Sequence, residues 1–189
     1  EVWGSTRQLE SFIDSLQREC PPLAHIESIQ RSTMVVGQVP DTFRIIPSQT
    51  GEIQTNVAAD AATCKACLQE IYDPADRRYR YPFTNCTHCG PRLSIINAVP
   101  YDRENTSMAD FPMCSACLAE YQEPADRRFH AQPNACPVCG PQIWLENSAG
   151  ERFDSGTAED AVAAAQQLIT EGNIVAVKGI GGIHLACDA

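Results

Sequence analysis

The sequence predicts an α+β fold divided into several modules, and three observations carry that prediction. A block holding eight of the ten cysteines repeats itself at an offset of 50 residues in the middle of the 189-residue chain. A run with one apolar helical face and two strand-like runs precede the block. A second helical run, a short apolar strand and a glycine-rich turn follow it. A hydrophobic content of 43% suits one large domain or about two or three small ones.

Residues 1–46 read as the first module. Ser5-x-x-Gln8 has the form of a capping box. Leu9, Phe12, Ile13 and Leu16 recur at i, i+3, i+4 and i+7, so a helix here has one apolar face. Pro21-Pro22 stops it, since proline lacks the N–H and its ring collides with the preceding turn. His25–Ile29 and Thr42–Ile46 read as strands, and 47–63, with Pro47, Gly51 and many polar residues, as a linker. The opening Glu1-Val2-Trp3-Gly4 has neither the basic nor the apolar region of a signal peptide. It also lacks an initiator Met, and His184 to Ala189 stop inside an apolar pattern, so we expect a segment of a longer protein. No apolar run approaches the roughly 20 residues that span a bilayer.

The repeat carries the chemistry. The first copy runs from Cys64 and Cys67 through Pro74-Ala75-Asp76-Arg77-Arg78-Tyr79 to Cys86 and Cys89, then Gly90-Pro91. The second runs from Cys114 and Cys117 through Pro124-Ala125-Asp126-Arg127-Arg128-Phe129 to Cys136 and Cys139, then Gly140-Pro141. Both read C-x2-C-x18-C-x2-C, within the spacing of a zinc site. Two intervening residues let one turn present both sulfurs about 3.5 to 4 Å apart, the edge of a tetrahedron with Zn–S near 2.3 Å. Four thiolates close the coordination shell, which makes two structural rather than catalytic Zn²⁺ ions the expectation. A redox motif uses one C-x-x-C, haem attachment needs a following His, and paired tandem spacing favours zinc over an iron–sulfur cluster. Pairing within each copy is preferred, with interleaving between copies open. Gly90 and Gly140 are expected to take φ > 0 and turn amides toward the sulfurs.

The repeated Asp-Arg-Arg admits two readings. Paired guanidiniums can hold a phosphate or a partner. Alternatively, an Asp–Arg ion pair and an aromatic (Tyr79, Phe129) pack beside the metal in a thin core, the preferred reading. His88 and His130 are surface or supporting groups, because both coordination shells are full.

The third region starts near Gly156. Thr157-x-x-Asp160 starts a helix, Val162, Ala165, Leu168 and Ile169 form its apolar stripe, and Gly172 ends it. Ile174–Val177 reads as a short buried strand. Lys178, Gly179, Gly181 and Gly182 follow: a turn that offers amides and a charge to a phosphate, or simply a tight strand-to-strand turn.

The formal net charge is −10. Two tetrathiolate zinc sites take it to about −14. That balance disfavours nucleic acid and anionic membrane as partners. Reactive C-x-x-C thiols fit a reducing compartment, and we expect the cytoplasm. Cys20 and Cys187 are expected to be small buried hydrophobes.

In this order the modules resemble the HypF family, the carbamoyltransferases of nickel–iron hydrogenase maturation. The resemblance rests on the double C-x2-C-x18-C-x2-C, on Arg77 to Pro91 and Arg127 to Pro133, and on Lys178 to Ala189, and it covers essentially the whole chain. It implies that 1–46 are the second half of a ferredoxin-like acylphosphatase domain, 64–145 tandem four-cysteine zinc fingers, and 146–189 a hairpin or linker and the beginning of an α/β YrdC-like domain. It implies an enzyme that uses carbamoyl phosphate and ATP, with Mg²⁺, to carbamoylate the C-terminal cysteine of the partner HypE for cyanide-ligand synthesis. The family's acylphosphatase arginine and asparagine would precede Glu1 and most of its nucleotide-binding cluster would follow Ala189. No catalytic residue is therefore assigned here, and the segment alone is expected to be inactive. Lys178, Gly179, Gly181 and Gly182 carry over only as nucleotide contacts. A second reading is a non-enzymatic, zinc-dependent interaction or chaperone-like module; the chain lacks the J-domain and the C-x-x-C-x-G-x-G pattern of DnaJ-type proteins.

Overall fold

The computed structural model describes residues 2–21, 23–33, 42, 57–153 and 158–188. The chain forms two compact units, Glu1–Glu52 and Ile53–Ala189.

In the first unit, α1 (Thr6–Arg18) starts where the capping box expects it. Ser5 N donates to Gln8 Oε1 at 2.8 Å and Gln8 N donates to Ser5 Oγ at 3.4 Å. Two of the orphan donors of the first turn are thereby satisfied. The helix ends ahead of Pro21, where Ala24 N turns back to Pro21 O at 2.9 Å. Leu9 and Ile13 are half-buried, while Phe12 and Leu16 stay exposed. Residues 25–29 form no strand, contrary to expectation. A strand-like run becomes a strand only when a neighbour completes the ladder, and no strand of this unit lies among the described residues. The expected strand at 42–46 lies outside them apart from Thr42.

The second unit opens on the repeat. α2 (Lys65–Tyr72) and α3 (Ser115–Gln122) are equal in length and 50 residues apart. Each is followed by a turn that bends the chain back, with Arg80 N bonding Ile71 O and His130 N bonding Tyr121 O. Arg80 and His130 occupy the same left-handed position in their copies, at φ 54° and 52°. A non-glycine residue there is uncommon, and its recurrence ties it to the reversal both copies need.

Residues 92–112, between the copies, fold into two 3₁₀ turns, Leu93–Ile95 and Arg103–Asn105, joined by an Ile96–Thr106 bridge. Their Ile95 and Met108 bury with Tyr81 of the first copy and Ala135 of the second, flanked by Phe83, Tyr101 and Phe111. The core is thus shared between the copies. Arg103 stitches it by donating to the carbonyls of Gln132, Asn134 and Phe111.

Beyond the repeat, a Glu146–Arg152 bridge closes a turn and Arg152 lies 4.0 Å over the Trp144 ring. Then α4 (Ala158–Thr170) ends at Gly172, whose φ of 85° lets its N–H and that of Asn173 return to Ile169 and Leu168. The expected helix start at Thr157 lies outside the described residues. An antiparallel hairpin follows, β1 (Val175–Gly179) and β2 (Gly182–Ala186), in register Val175 to Ala186 and Gly179 to Gly182. The strand expected at Ile174–Val177 is displaced by one residue at its start and is not buried as a whole. Only Val175 is covered, while Ile174 and Val177 are 69% and 51% exposed, since a two-stranded ribbon cannot cover both of its own faces. No described helix is long and apolar enough to cross a membrane.

Candidate metal centre

Each four-cysteine group is assembled from a helix start and a returning turn. Cys64 is the N-cap of α2 and Cys67 its third residue; Cys114 and Cys117 do the same for α3. Three residues along a helix return to the same face, so the spacing aims both sulfurs one way. The N-terminal end of the helix also favours thiolate over thiol. The second pair of each copy sits on a tight turn closed by Cys89 N to Cys86 O at 3.3 Å and Cys139 N to Cys136 O at 3.1 Å.

The sulfurs gather by copy: Cys64, Cys67, Cys86 and Cys89 form one group, Cys114, Cys117, Cys136 and Cys139 the other. In the first, Sγ–Sγ distances are 3.7 Å (Cys64–Cys86), 3.8 Å (Cys86–Cys89) and 3.5 Å (Cys89–Cys67). In the second they are 3.7, 3.7 and 3.6 Å for the equivalent pairs. A disulfide would need about 2.05 Å, and all ten cysteines are free. A tetrahedral ion with bonds near 2.3 Å to sulfur has edges of about 3.8 Å, which these groups match.

The electrostatics call for a cation. The Cys67 thiol, by hydrogen bonding, and the His88 amide hold Cys86 down to about 4 against opposing burial. The Cys117 amide holds Cys114 down to about 6. Burial pushes Cys117 up to about 12. The lowered Cys86 and Cys114 favour the thiolate, the form that ligates a metal ion.

The repeated guanidiniums do not pair with the Asp of their own turn. Asp76 Oδ1 and Asp126 Oδ1 instead accept the N–H of Arg78 and Arg128 at 2.7 Å, closing a turn. The guanidiniums cross to the other copy. Arg77 and Arg78 both reach Glu120 Oε2 at 2.6 Å, and Arg127 and Arg128 both pair with Glu70. Arg77 also donates to Cys117 Sγ at 3.4 Å and Arg127 to Cys67 Sγ at 3.0 Å. The expected Asp–Arg pair is thus replaced by a reciprocal Arg–Glu and Arg–Cys exchange. Asp lacks the reach: its carboxylate is consumed two residues along the same turn. Phe129 lies against His130, 4.7 Å between ring centroids. Glu70 and Glu120 belong to no metal-ligand motif, although both stand three residues after a repeated cysteine and match at the offset of 50.

The glycines act differently from expectation. Gly90 does take a positive φ, 90°, but its amide bonds Ala61 O at 2.9 Å. Gly140 has no positive φ and is required for space, since an added Cβ would lie 2.2 Å from Tyr81 Oη and 2.5 Å from Ala135 Cβ. Its amide bonds Cys136 O, and the amides that face sulfurs belong to other residues, among them that of His88, 3.3 Å from Cys86 Sγ. Of the lone cysteines, Cys20 is half-buried with its thiol donating to Ala24 O, and Cys187 is exposed, so neither is a buried core residue.

Lys178, Gly179, Gly181 and Gly182 lie together, exposed, around the turn of the β1–β2 hairpin, with Gly179 opposite Gly182. Their local geometry is that of a tight strand-to-strand turn.

Comparison with known proteins agrees with the repeat. The family model described as HypF finger matches residues 63–96 and 113–146. The chain is 50% identical over 181 residues to the carbamoyltransferase HypF of Rhodobacter capsulatus, covering 96% of this chain and 24% of that protein. It is 49% identical over 192 residues to the Synechocystis carbamoyltransferase HypF, covering 100% of this chain and 24% of that one. A crystal structure of full-length HypF in a phosphate- and nucleotide-bound form superposes with a TM-score of 0.84 at 45% identity, over 98% of this chain and 24% of that chain. The HypF structure from T. kodakarensis gives a TM-score of 0.80 at 46% identity, over 100% of this chain and 23% of that one. The chain spans about a quarter of the length of these relatives. Matched along its whole length at this identity, with its two four-cysteine groups falling inside the finger matches, the chain belongs to the HypF family.

Proposed function

We propose that this chain is the zinc-bearing scaffold segment of a carbamoyltransferase that uses carbamoyl phosphate and ATP, with Mg²⁺, to carbamoylate the C-terminal cysteine of HypE in a cytoplasmic maturation reaction. The observation that carries it is whole-length identity of about one half to proteins named carbamoyltransferase HypF. Cys64, Cys67, Cys86 and Cys89 hold one Zn²⁺ and Cys114, Cys117, Cys136 and Cys139 the other. An all-thiolate tetrahedral set suits zinc, and with no open position it serves structure rather than chemistry.

On this reading residues 1–46 are the second half of an acylphosphatase-like domain, 64–145 the tandem fingers, and 146–189 lead into a YrdC-like domain. The fingers set the spacing of the modules on either side. Lys178 and the amides of Gly179, Gly181 and Gly182 face a nucleotide phosphate, a role the exposed hairpin turn leaves sterically open.

The test is a transplant. A full-length HypF relative whose matching quarter is replaced by this chain is expected to retain carbamoyl-phosphate-dependent ATP–pyrophosphate exchange and to carry two zinc ions. The same chimera with Cys86→Ser and Cys136→Ser is expected to lose both. A fully metallated chimera without exchange would sink the enzymatic assignment.

A further inference from the structure

Each four-cysteine group consists of two half-sites, a helix start and a returning turn, and in both copies the arginines of the other copy hold the halves together. Arg127 donates to Cys67 Sγ at 3.0 Å, on the helix side. Its neighbour Arg128, 3% exposed, donates Nε to the carbonyl of Asn85 at 3.0 Å, the residue directly before Cys86 on the turn side. The mirror set has Arg77 on Cys117 Sγ at 3.4 Å and Arg78, 1% exposed, on the carbonyl of Ala135 at 2.9 Å, directly before Cys136. The clamping arginines sit between the two cysteine pairs of their own copy, so their position depends on that copy being closed.

We propose that the two sites load metal cooperatively. A metal ion in one copy closes its loop and fixes its arginine pair, and that pair preassembles the half-sites of the other copy. The guanidiniums also offset the charge that four thiolates and a divalent ion leave on the neighbouring cluster. Groups that hydrogen-bond metal ligands shift metal affinity by about 10- to 100-fold, and here those groups belong to the opposite site. The proposal rests on the metal-binding reading above and adds the coupling.

The experiment titrates the metal-free, fully reduced 189-residue chain with Co²⁺ against a competing chelator. Thiolate-to-cobalt absorbance reports occupancy, and native mass spectrometry counts metals per chain. At half saturation the expected populations are empty and doubly loaded chains, with little singly loaded species, whereas independent sites populate that species most. Cys114→Ser/Cys117→Ser, which removes the second site, is expected to weaken cobalt binding at the intact first site by about tenfold or more. Arg127→Gln is expected to weaken the first site by about tenfold when the second is intact and to add little in the Cys114→Ser/Cys117→Ser background. General destabilisation does not produce that non-additivity. Arg77→Gln in the Cys64→Ser/Cys67→Ser background supplies the mirror test at the second site. Statistical filling, with unchanged first-site affinity in Cys114→Ser/Cys117→Ser, overturns the coupling alone. Absence of cobalt uptake by the unmodified chain overturns the metal reading itself.

Discussion

Replacing Glu120 by Ala is expected to destabilise the finger region by about 3 kcal/mol. The carboxylate takes Arg77 and Arg78 together, each 2.6 Å from Oε2, with its own side chain 19% exposed and that of Arg78 only 2%. Burial pushes the Glu120 carboxyl up, and hydrogen bonds from Arg78 and then Arg77 overcome it, holding the group at about 2 against an ordinary 4.5. That gap corresponds to roughly 3 kcal/mol of preference for the charged form in the folded state. Removing one member of a buried pair generally costs about 3 to 5 kcal/mol, because the other charge is left buried. Arg78 would keep the Ala135 carbonyl and Asn134 Oδ1, each at 2.9 Å, which places the cost at the low end. Urea unfolding followed by circular dichroism, at neutral pH and fixed excess metal, measures it. Glu120→Gln, which retains one acceptor but no charge, should fall between the wild type and Glu120→Ala. A Glu120→Ala midpoint equivalent to less than about 0.5 kcal/mol, the level of an ordinary surface change, would refute the claim that this exchange holds the two copies together.

Three further outcomes follow from the same geometry. Because the folded Glu120 value is depressed, its contribution is complete above about 4.5 and is lost as pH falls toward about 2; the stability difference between wild type and Glu120→Gln should shrink through that window, and a difference independent of pH would contradict the ion pair. Gly140→Ala should cost about 1 to 3 kcal/mol by driving a methyl into Tyr81 and Ala135 and disturbing the Tyr81 Oη–Pro141 O hydrogen bond of 3.1 Å, read as a lowered melting temperature. Chelation of metal should remove most of the order of residues 64–145, and Cys64→Ser or Cys136→Ser most of the order of its own copy, because binding at such a site supplies on the order of 10 kcal/mol of folding free energy; hydrogen-exchange protection that survives complete metal removal would exclude it.

Much of the site was legible from spacing. C-x2-C is a local instruction: an N-cap and the third residue of a helix, or two ends of one turn, bring sulfurs together whatever the rest of the chain does. The capping box of Ser5 and Gln8 and the glycine stop at Gly172 are local in the same sense, and each appears where expected. The partners of the arginines were not legible in this way. Asp76 is the nearest carboxylate to Arg78 in sequence, yet the charged partner is Glu120, 42 residues away. Gly140 looks like a backbone requirement beside a cysteine, yet what demands it is a tyrosine 59 positions earlier in the chain. The run 25–29 reads as a strand but has no neighbouring strand of its unit among the described residues to pair with.

The amino-acid sequence alone determined the unit of repetition, the eight thiols, their pairing two by two and the family to which they point, because a chelating turn is encoded within a few residues. Only the tertiary structure decided that the copies interlock, which carboxylates neutralise the buried guanidiniums, and which glycine yields space rather than torsion. Those outcomes depend on surfaces that meet after the chain has closed, where burial and charge, rather than spacing, select the partner.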